Sequence, residues 1–198
     1  MEEHGGGSAK IGMWLFLMSE ILLFGGLFLL YAMYRAREPT DFHAASQELS
    51  RFDGTLNTAI LLTSSLTVAL SIHELVERKS SRRAQLLIGT TIALGCAFLV
   101  VKGFEWGTKF AHGLYPNSPT LLARPKGEIL YFGLYFSMTG LHAVHVIVGL
   151  GVLTVALVLL RRDKITAERH EILENGGLYW HLVDIIWIFL FPLFYLIS

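Results

Sequence analysis

Apolar residues occur along this chain in five long runs, which polar segments separate. Each run is long enough to cross a bilayer as a helix, because about 20 apolar residues span the hydrocarbon core. The runs lack the alternation of barrel strands, and helices satisfy their own backbone hydrogen bonds in lipid. The pattern predicts an all-α integral membrane bundle of five transmembrane helices, forming a single domain over residues 1–198. The predicted spans are residues 11–34, 56–73, 86–104, 129–160 and 178–197.

The composition agrees with a membrane protein. Hydrophobic residues make up 53% of the chain and charged residues 16%, with a mean hydropathy of +0.52. These values lie outside the usual balance of a soluble domain. The 16 basic residues balance the 16 acidic residues, so no net field attracts nucleic acid. The single cysteine, Cys96, forms no intrachain disulfide and supplies no cysteine-based metal site.

Lysines and arginines in the connecting segments predict the orientation. The side of the N-terminus holds Lys10, Arg78, Lys79, Arg82, Arg83, Arg161, Arg162, Lys164 and Arg169, and the other side holds Arg35, Arg37, Arg51, Lys102, Lys109, Arg124 and Lys126. The first set is concentrated in short loops near membrane ends, which favours a cytoplasmic N-terminus and an outside C-terminus. The longer outer segments, residues 35–55 and 105–128, are interpreted either as ordered surface loops that could meet another protein or as plain connectors.

Small residues spaced four apart on three of the runs are typical of close helix packing in membranes. We expect the corresponding helix faces to pack inside the bundle. They comprise Ala59, Thr63, Thr67 and Ser71 on the second run, Gly89, Ala93 and Ala97 on the third, and Gly133, Ser137, His145 and Gly149 on the fourth.

The candidate chemistry begins with Glu20, a carboxyl group near the middle of the first run. Inserting such a group into hydrocarbon costs on the order of 3 kcal/mol, so Glu20 needs a partner or a proton. His142 and His145 are three residues apart and share roughly one face of the fourth helix. We therefore expect Glu20 to hydrogen-bond a histidine of that helix, preferably His145. His181 and Asp184 form a second pair with the same spacing on the fifth run.

The sequence pattern is compatible with three roles for these residues. A buried glutamate with histidines on neighbouring helices can fix helix register, ligate a metal or haem, or transfer protons. The sequence contains no HExxH motif and no carboxylate-rich Glu-x-x-His set that would complete a metal site. A proton relay needs a chain of titratable groups across the membrane. We therefore expect no metal and no catalytic residue in this chain.

Four segments resemble subunit III of haem-copper oxidases. They are GMWLFLMSEILLFGGLF from Gly12, LNTAILLTSSLTVALSIHE from Leu56, YFSMTGLHAVHVIVG from Tyr135 and GGLYWHLVDIIWIFLFPLFY from Gly176. The KGFEW segment from Lys102 is similar to a glutamate-containing segment of the same family. By this resemblance Glu20 corresponds to the family's carbodiimide-reactive membrane glutamate. The other residues at motif positions are Glu105, His142, His145, Trp180, His181 and Asp184.

The resemblance implies a non-redox subunit of a terminal oxidase that reduces oxygen to water and pumps protons. In that family subunit I carries the haems and copper, and subunit III carries none. The implied roles are to stabilise subunit I, sustain proton uptake, bind phospholipid and guide oxygen inward. The seven residues named above would support structure and proton uptake. The implied partners are subunit I, subunit II, other small subunits and membrane lipids, in a bacterial cell inner membrane.

The resemblance starts at the third helix of the family's seven-helix form, as in its five-helix bacterial form. Without the two preceding helices, retention of lipid by this chain alone is open. Cytochrome c is the favoured electron donor of the complex. The alternatives are subunit III of a quinol oxidase and the related protein that accompanies nitric oxide reductases. A remoter alternative is an independent membrane carrier or haem protein, although broken helices of the transporter type are absent from the sequence pattern.

Overall fold

A computed structural model describes the backbone of residues 3–196 and the side chains of residues 11–196. Within this range the prediction of five membrane-spanning helices is confirmed, since five helices are long and apolar enough to cross a bilayer. The last residue assigned to the fifth span, Ile197, lies outside the described residues. The helices are α1 (Glu3–Arg37), α2 (Pro39–Ser46), α3 (Arg51–Val76), α4 (Ser81–Ala111), α5 (Pro119–Leu122), α6 (Lys126–Arg161) and α7 (Glu171–Phe191), followed by a π-helical turn (Pro192–Leu196).

The helices extend beyond the predicted apolar runs because local signals, rather than hydropathy, set their ends. Helix α3 begins at Arg51, where the Ser50 hydroxyl accepts a hydrogen bond from the Asp53 amide at 3.3 Å. A serine in this position satisfies one of the free N–H groups of the first turn. The short helices α2 and α5 each begin with a proline, which suits the first helical position because its missing N–H has no partner there.

The segment from residue 105 is helical for longer than the sequence suggested. The prediction of a surface segment starting at Glu105 is wrong, because α4 continues to Ala111 and Glu105 is 5% exposed. Lysines at this end of the helix made the apolar run look shorter than the helix is. The rest of the outer connections contains α2 and α5, so these connections are partly helical.

Helix α1 is the most peripheral of the five spans, and α7 is the most buried. Helices α3 and α4 form an antiparallel hairpin, and α7 contacts α1, α3 and α6. The fully buried residues of α1 are seven apart, namely Leu17, Phe24 and Tyr31. This spacing places one narrow stripe against α6 and α7 and leaves most of α1 facing outward.

The predicted small-residue faces are largely wrong. Ala59, Thr63, Ala93 and Ser137 are exposed, and a Cβ added at Gly89 or Gly133 would meet nothing within 4 Å. Ser71 and Gly149 are buried as predicted, and the buried faces also carry Ser64 and Gly95, which were not predicted. In lipid both the outward and the packing faces are apolar, so a four-residue spacing identifies a face without saying which way it points.

Trp180 explains why two glycines lie in the core. Its ring fits between α4 and α6, where a Cβ on Gly95 would come within 2.7 Å of Trp180 Cη2 and one on Gly149 within 2.8 Å of Cε3. Real Cβ atoms do not approach this closely, so any larger residue would displace the indole. The indole Nε1 donates to Ser64 Oγ at 2.9 Å, which ties α7 to α3 at the same level.

Candidate functional site

The hydrogen bond predicted between Glu20 and His145 is present. Glu20 Oε2 lies 2.8 Å from His145 Nε2, which joins α1 to α6. The side chains are 14% and 12% exposed, respectively, so both groups are largely removed from the surroundings of the bundle. Phe24 packs edge-on against the imidazole, with ring centroids 5.4 Å apart. This pair and the hydrogen bond that the Tyr31 hydroxyl donates to the Leu193 carbonyl oxygen at 2.6 Å attach the peripheral helix α1 to the rest of the bundle.

The second ring nitrogen of His145 determines how many protons Glu20 and His145 share. His145 Nδ1 lies 2.8 Å from the Leu141 carbonyl oxygen, which only accepts, so Nδ1 carries a proton. Nε2 then either accepts from a protonated Glu20 or, in an imidazolium, donates to the carboxylate. One proton is shared between the two groups in both cases. The pair therefore needs no net charge at mid-membrane depth.

A second polar cluster surrounds Glu105 and is almost completely buried. Lys102 is 2% exposed and Glu105 is 5% exposed. Lys102 Nζ donates to Glu105 Oε2 at 3.1 Å, to Tyr135 Oη at 3.0 Å and to Tyr195 Oη at 2.6 Å. Both tyrosine hydroxyls donate to Glu105 Oε1, at 2.5 Å from Tyr135 and 2.7 Å from Tyr195. We call these four residues the lysine–glutamate cluster.

The lysine–glutamate cluster satisfies the charged groups within it. The carboxylate accepts three hydrogen bonds and the ammonium group donates three. A buried ion pair offsets its desolvation cost only when its remaining hydrogen-bonding positions are filled in this way. Lys102 Nζ also lies 5.3 Å from the centroid of the Trp187 ring. The cluster thereby links α4, α6 and the C-terminal π-helical turn.

Sequence reasoning named Glu105 but missed its three partners. Lys102 and Lys109 were counted as charges of the outer connecting segments, and this is wrong because both are buried within α4. Lys109 Nζ donates to the Glu48 carbonyl oxygen. The three-residue spacing of Lys102 and Glu105 was the available signal, since it places them on one helix face. Nothing in the sequence identified Tyr135 or Tyr195.

His142 and His145 do not act together. His142 is completely buried toward α4 and α7, with its ring against Phe98 and Trp187 at centroid distances of 5.6 Å and 5.3 Å. Neither ring nitrogen of His142 has a hydrogen-bond partner among the described residues. His145 instead faces Glu20 on α1. The two histidines therefore make separate contacts, although they are only three residues apart on α6.

The pairing of His181 with Asp184 is also absent. His181 Nδ1 lies 2.6 Å from Ser65 Oγ on α3. Asp184 is 3% exposed, and neither of its carboxyl oxygens has a hydrogen-bond partner among the described residues. Trp180, the remaining predicted residue, packs in the core as described above. Of the seven predicted residues only Glu20 and His145 hydrogen-bond each other, and the seven do not converge on one site.

Polar contacts join the short helix α2 and the loop after it to the start of α6. The Gly127 amide at the start of α6 donates to Asp41 Oδ2 at 3.0 Å. Arg124 donates to Glu128 at 2.9 Å and to Glu48 at 3.3 Å. Its hydrogen bond to Glu128 raises the pKa of Arg124 above its ordinary value. These contacts hold α2 against α6 above the lysine–glutamate cluster.

The geometry supports fixed helix packing with one shared proton. Within residues 11–196, no group of three or more His, Cys, Asp or Glu side chains is placed to hold a metal ion. The Glu20 and His145 pair can hold or pass a proton between two oriented atoms. The lysine–glutamate cluster instead uses all three donor positions of the ammonium group and engages both carboxylate oxygens within the protein.

Comparison with known proteins gives consistent matches. A family model described as cytochrome c oxidase subunit III matches residues 6–198. A protein of Thermostichus vulcanus named cytochrome c oxidase subunit 3 is 30% identical over 189 residues, which cover 95% of this chain and 87% of that protein. The protein of the same name from Oncorhynchus mykiss is 34% identical over 194 residues, covering 94% and 68%, respectively. The one from Drosophila melanogaster is 30% identical over 190 residues, covering 93% and 67%.

Proposed function

Because the chain belongs to the cytochrome c oxidase subunit III family, we propose that it is a non-catalytic subunit that stabilises the oxygen-reducing, proton-pumping part of its oxidase. It is an accessory membrane subunit of a haem-copper oxidase complex. The non-catalytic role is supported by the buried charged groups, which bind each other within the chain. Glu105 and Lys102 are saturated by each other and two tyrosines, and Glu20 is held by His145.

We propose that the direct partner is the subunit that carries the haems and copper, with subunit II and other small subunits in the same complex. Large apolar side chains face outward along α1, α3 and α6, among them Leu22, Leu66 and Val144. Such surfaces suit lipid and the transmembrane helices of neighbouring subunits equally well. Glu20 and the buried histidines would then stabilise the shape that the catalytic subunit meets, and so support its proton uptake.

A purification through this chain in mild detergent tests the proposal. We expect haem-containing and copper-containing subunits to purify with it, and the reduced-minus-oxidised spectrum of the complex to show haem bands. After separation of the subunits, those bands should remain with the partner. A copper-containing second subunit would indicate cytochrome c as donor, and its absence would favour quinol. A chain that purifies alone, or keeps a haem band by itself, would contradict the proposal.

We also propose that phospholipid binds along α1. One groove of about 400 Å³ is lined by Phe28, Tyr31, Leu193 and, at its polar end, Arg35. A second groove of about 380 Å³ continues between α1 and α7 and shares Phe28. Apolar walls suit acyl chains, and the Arg35 guanidinium near the end of α1 suits a lipid phosphate.

Replacing Arg35 with alanine should reduce lipid retention because the phosphate loses its charged donor. We expect mass spectrometry of the intact complex to detect less phospholipid bound to this variant than to the unaltered protein. Arg82→Ala is the matched control, since Arg82 is exposed in the first turn of α4, at the opposite end of the bundle. Equal lipid content in both variants would argue against a site at Arg35.

We place the protein in a bacterial inner membrane with its N-terminus inside. The burial of Lys102 and Lys109 within α4 removes them from the outer connecting segments. The remaining outer charges are Arg35, Arg37, Arg51, Arg124 and Lys126. The lysines and arginines of the inner loops remain clustered at the ends of α3, α4, α6 and α7. The charge asymmetry that supports this orientation is therefore larger than the whole-sequence count indicated.

A further inference from the structure

We propose that the surface formed by α3 and α7 around Ser65 and His181 receives a transmembrane helix of a partner subunit, which presents a hydrogen-bond acceptor to His181 Nε2. We call this surface the α3–α7 face. The inference rests on the proposed function, because it assigns one contact within the oxidase complex.

Depth in the membrane is the first reason. Ser65 and His181 lie near the middle of α3 and α7, each at least about 15 Å along the helix axis from either helix end. Both side chains are partly exposed. At this depth the surrounding lipid consists of acyl chains, which offer no hydrogen bonds. A polar atom that faces outward here is costly unless protein covers it.

Other outward-facing polar groups in the spans do not share this problem. The hydroxyl groups of Thr63, Thr90 and Thr154 each donate to a carbonyl oxygen one turn earlier in their own helix. An imidazole cannot hydrogen-bond the carbonyl groups of its own helix through both ring nitrogens at once. His181 Nδ1 meets Ser65 Oγ at 2.6 Å, and Nε2 has no hydrogen-bond partner among the described residues. The α3–α7 face therefore carries a polar atom that requires an external partner.

The contact between Ser65 and His181 decides which kind of partner fits. The Ser65 Oγ and His181 Nδ1 atoms are 2.6 Å apart, and a serine hydroxyl can donate to a ring nitrogen. The proposal takes the tautomer in which Ser65 donates to Nδ1. Nε2 then carries the proton of a neutral imidazole and donates outward, so the partner must present an acceptor.

A helix fits this surface better than a lipid chain does. Ile188 on α7 and Leu62 on α3 lie on the same helix faces as His181 and Ser65, respectively, and are 44% and 49% exposed. They provide apolar contact on both sides of the imidazole, while the acceptor must be a side-chain oxygen or an open carbonyl. The exposed face of α6 offers the contrast, because Val144, Ile147 and Val148 present only apolar groups there.

Site-directed photo-cross-linking in native membranes tests the location. Cys96→Ala removes the only cysteine of the chain, and single cysteines are then placed at Ile188, Leu62 or, as the control, Val144, which is 55% exposed. Each is labelled with a benzophenone maleimide and irradiated. We expect Ile188→Cys and Leu62→Cys to form polypeptide adducts with a partner subunit, and Val144→Cys to give lipid adducts. Polypeptide adducts from Val144→Cys alone, or lipid adducts alone from all three positions, would overturn the proposal.

A second experiment tests the hydrogen bond. His181→Gln keeps an N–H donor on a side chain of similar reach, whereas His181→Leu removes it. Interhelical hydrogen bonds in membranes correspond to about a 3- to 15-fold change in association. We expect retention of the partner during detergent dilution to fall by about this factor in His181→Leu and to be largely restored in His181→Gln. Equal retention in both variants would contradict a donor role for His181.

The outcomes separate this inference from the proposed function. If no haem-containing subunit purifies with the chain, the proposed function itself fails. If the complex forms and only the α6 control gives polypeptide adducts, the subunit role stands and the α3–α7 face is the wrong interface.

Discussion

Replacing Lys102 with methionine will destabilise the protein by about 3–5 kcal/mol, which is the effect of leaving one member of a buried ion pair without its partner. Glu105 would keep its two tyrosine donors but lose the ammonium group that neutralises it. The substitution also removes the donor that joins Tyr135 to Tyr195. The measurement is the thermal unfolding of the purified complex, together with the amount of assembled oxidase in membranes.

Two further variants make the Lys102 result specific. Lys164→Met alters an exposed lysine in the loop between α6 and α7 and should change stability by no more than about 0.5 kcal/mol. The double variant Lys102→Met with Glu105→Leu removes both charges, and it should be less destabilised than the sum of its single variants. Additive losses in the double variant would show that the two charges do not depend on each other.

Replacing Glu20 with alanine should cost about 1–3 kcal/mol, because a buried ring nitrogen of His145 is left without its partner. Helix α1 should be affected first, since it contacts the bundle through one narrow stripe. We expect lower yield of assembled oxidase and faster loss of activity during sustained turnover. Oxygen consumption over repeated turnovers and the subunit composition of the purified complex measure these two effects.

Glu20→Gln separates packing from proton transfer at the same position. Glutamine retains a donor for His145 Nε2 but does not titrate, so a structural role predicts a milder defect than that of Glu20→Ala. A shared proton that is required for uptake would instead make the two variants equally deficient in proton uptake while glutamine preserved assembly. The pH dependence of the pumping rate should then be lost in both. Rescue of both assembly and proton uptake by glutamine would restrict Glu20 to packing.

The hydrophobic pattern predicted the spanning helices because hydrocarbon imposes a strong requirement. A helix must present about 20 apolar residues to cross the bilayer, whatever it packs against. The same pattern did not predict the helix ends. Helix α4 continues beyond the predicted end of the apolar run, because Glu105 forms an ion pair with Lys102 and Lys109 donates to the Glu48 carbonyl oxygen.

The contact between Glu20 and His145 was predictable because a lone carboxyl group at mid-membrane depth admits few partners. The same reasoning failed for His181 and Asp184, which share a helix but not a hydrogen bond. Spacing along a helix gives the angular position of a side chain. It does not say which neighbouring helix lies opposite, and Ser65 is the group that lies opposite His181.

The sequence by itself determined that this is a five-helix membrane protein, since the cost of exposing backbone and charge to lipid is local and independent of the neighbours. Its motifs also determined the family, which the comparisons confirm. Only the tertiary structure decided which helix faces are buried and which charges meet. Apolar residues face both lipid and protein in a membrane, so hydropathy does not separate the two. Lys102, Glu105, Tyr135 and Tyr195 come from positions up to 93 residues apart, and only the packing of α4, α6 and the C-terminal turn brings them together.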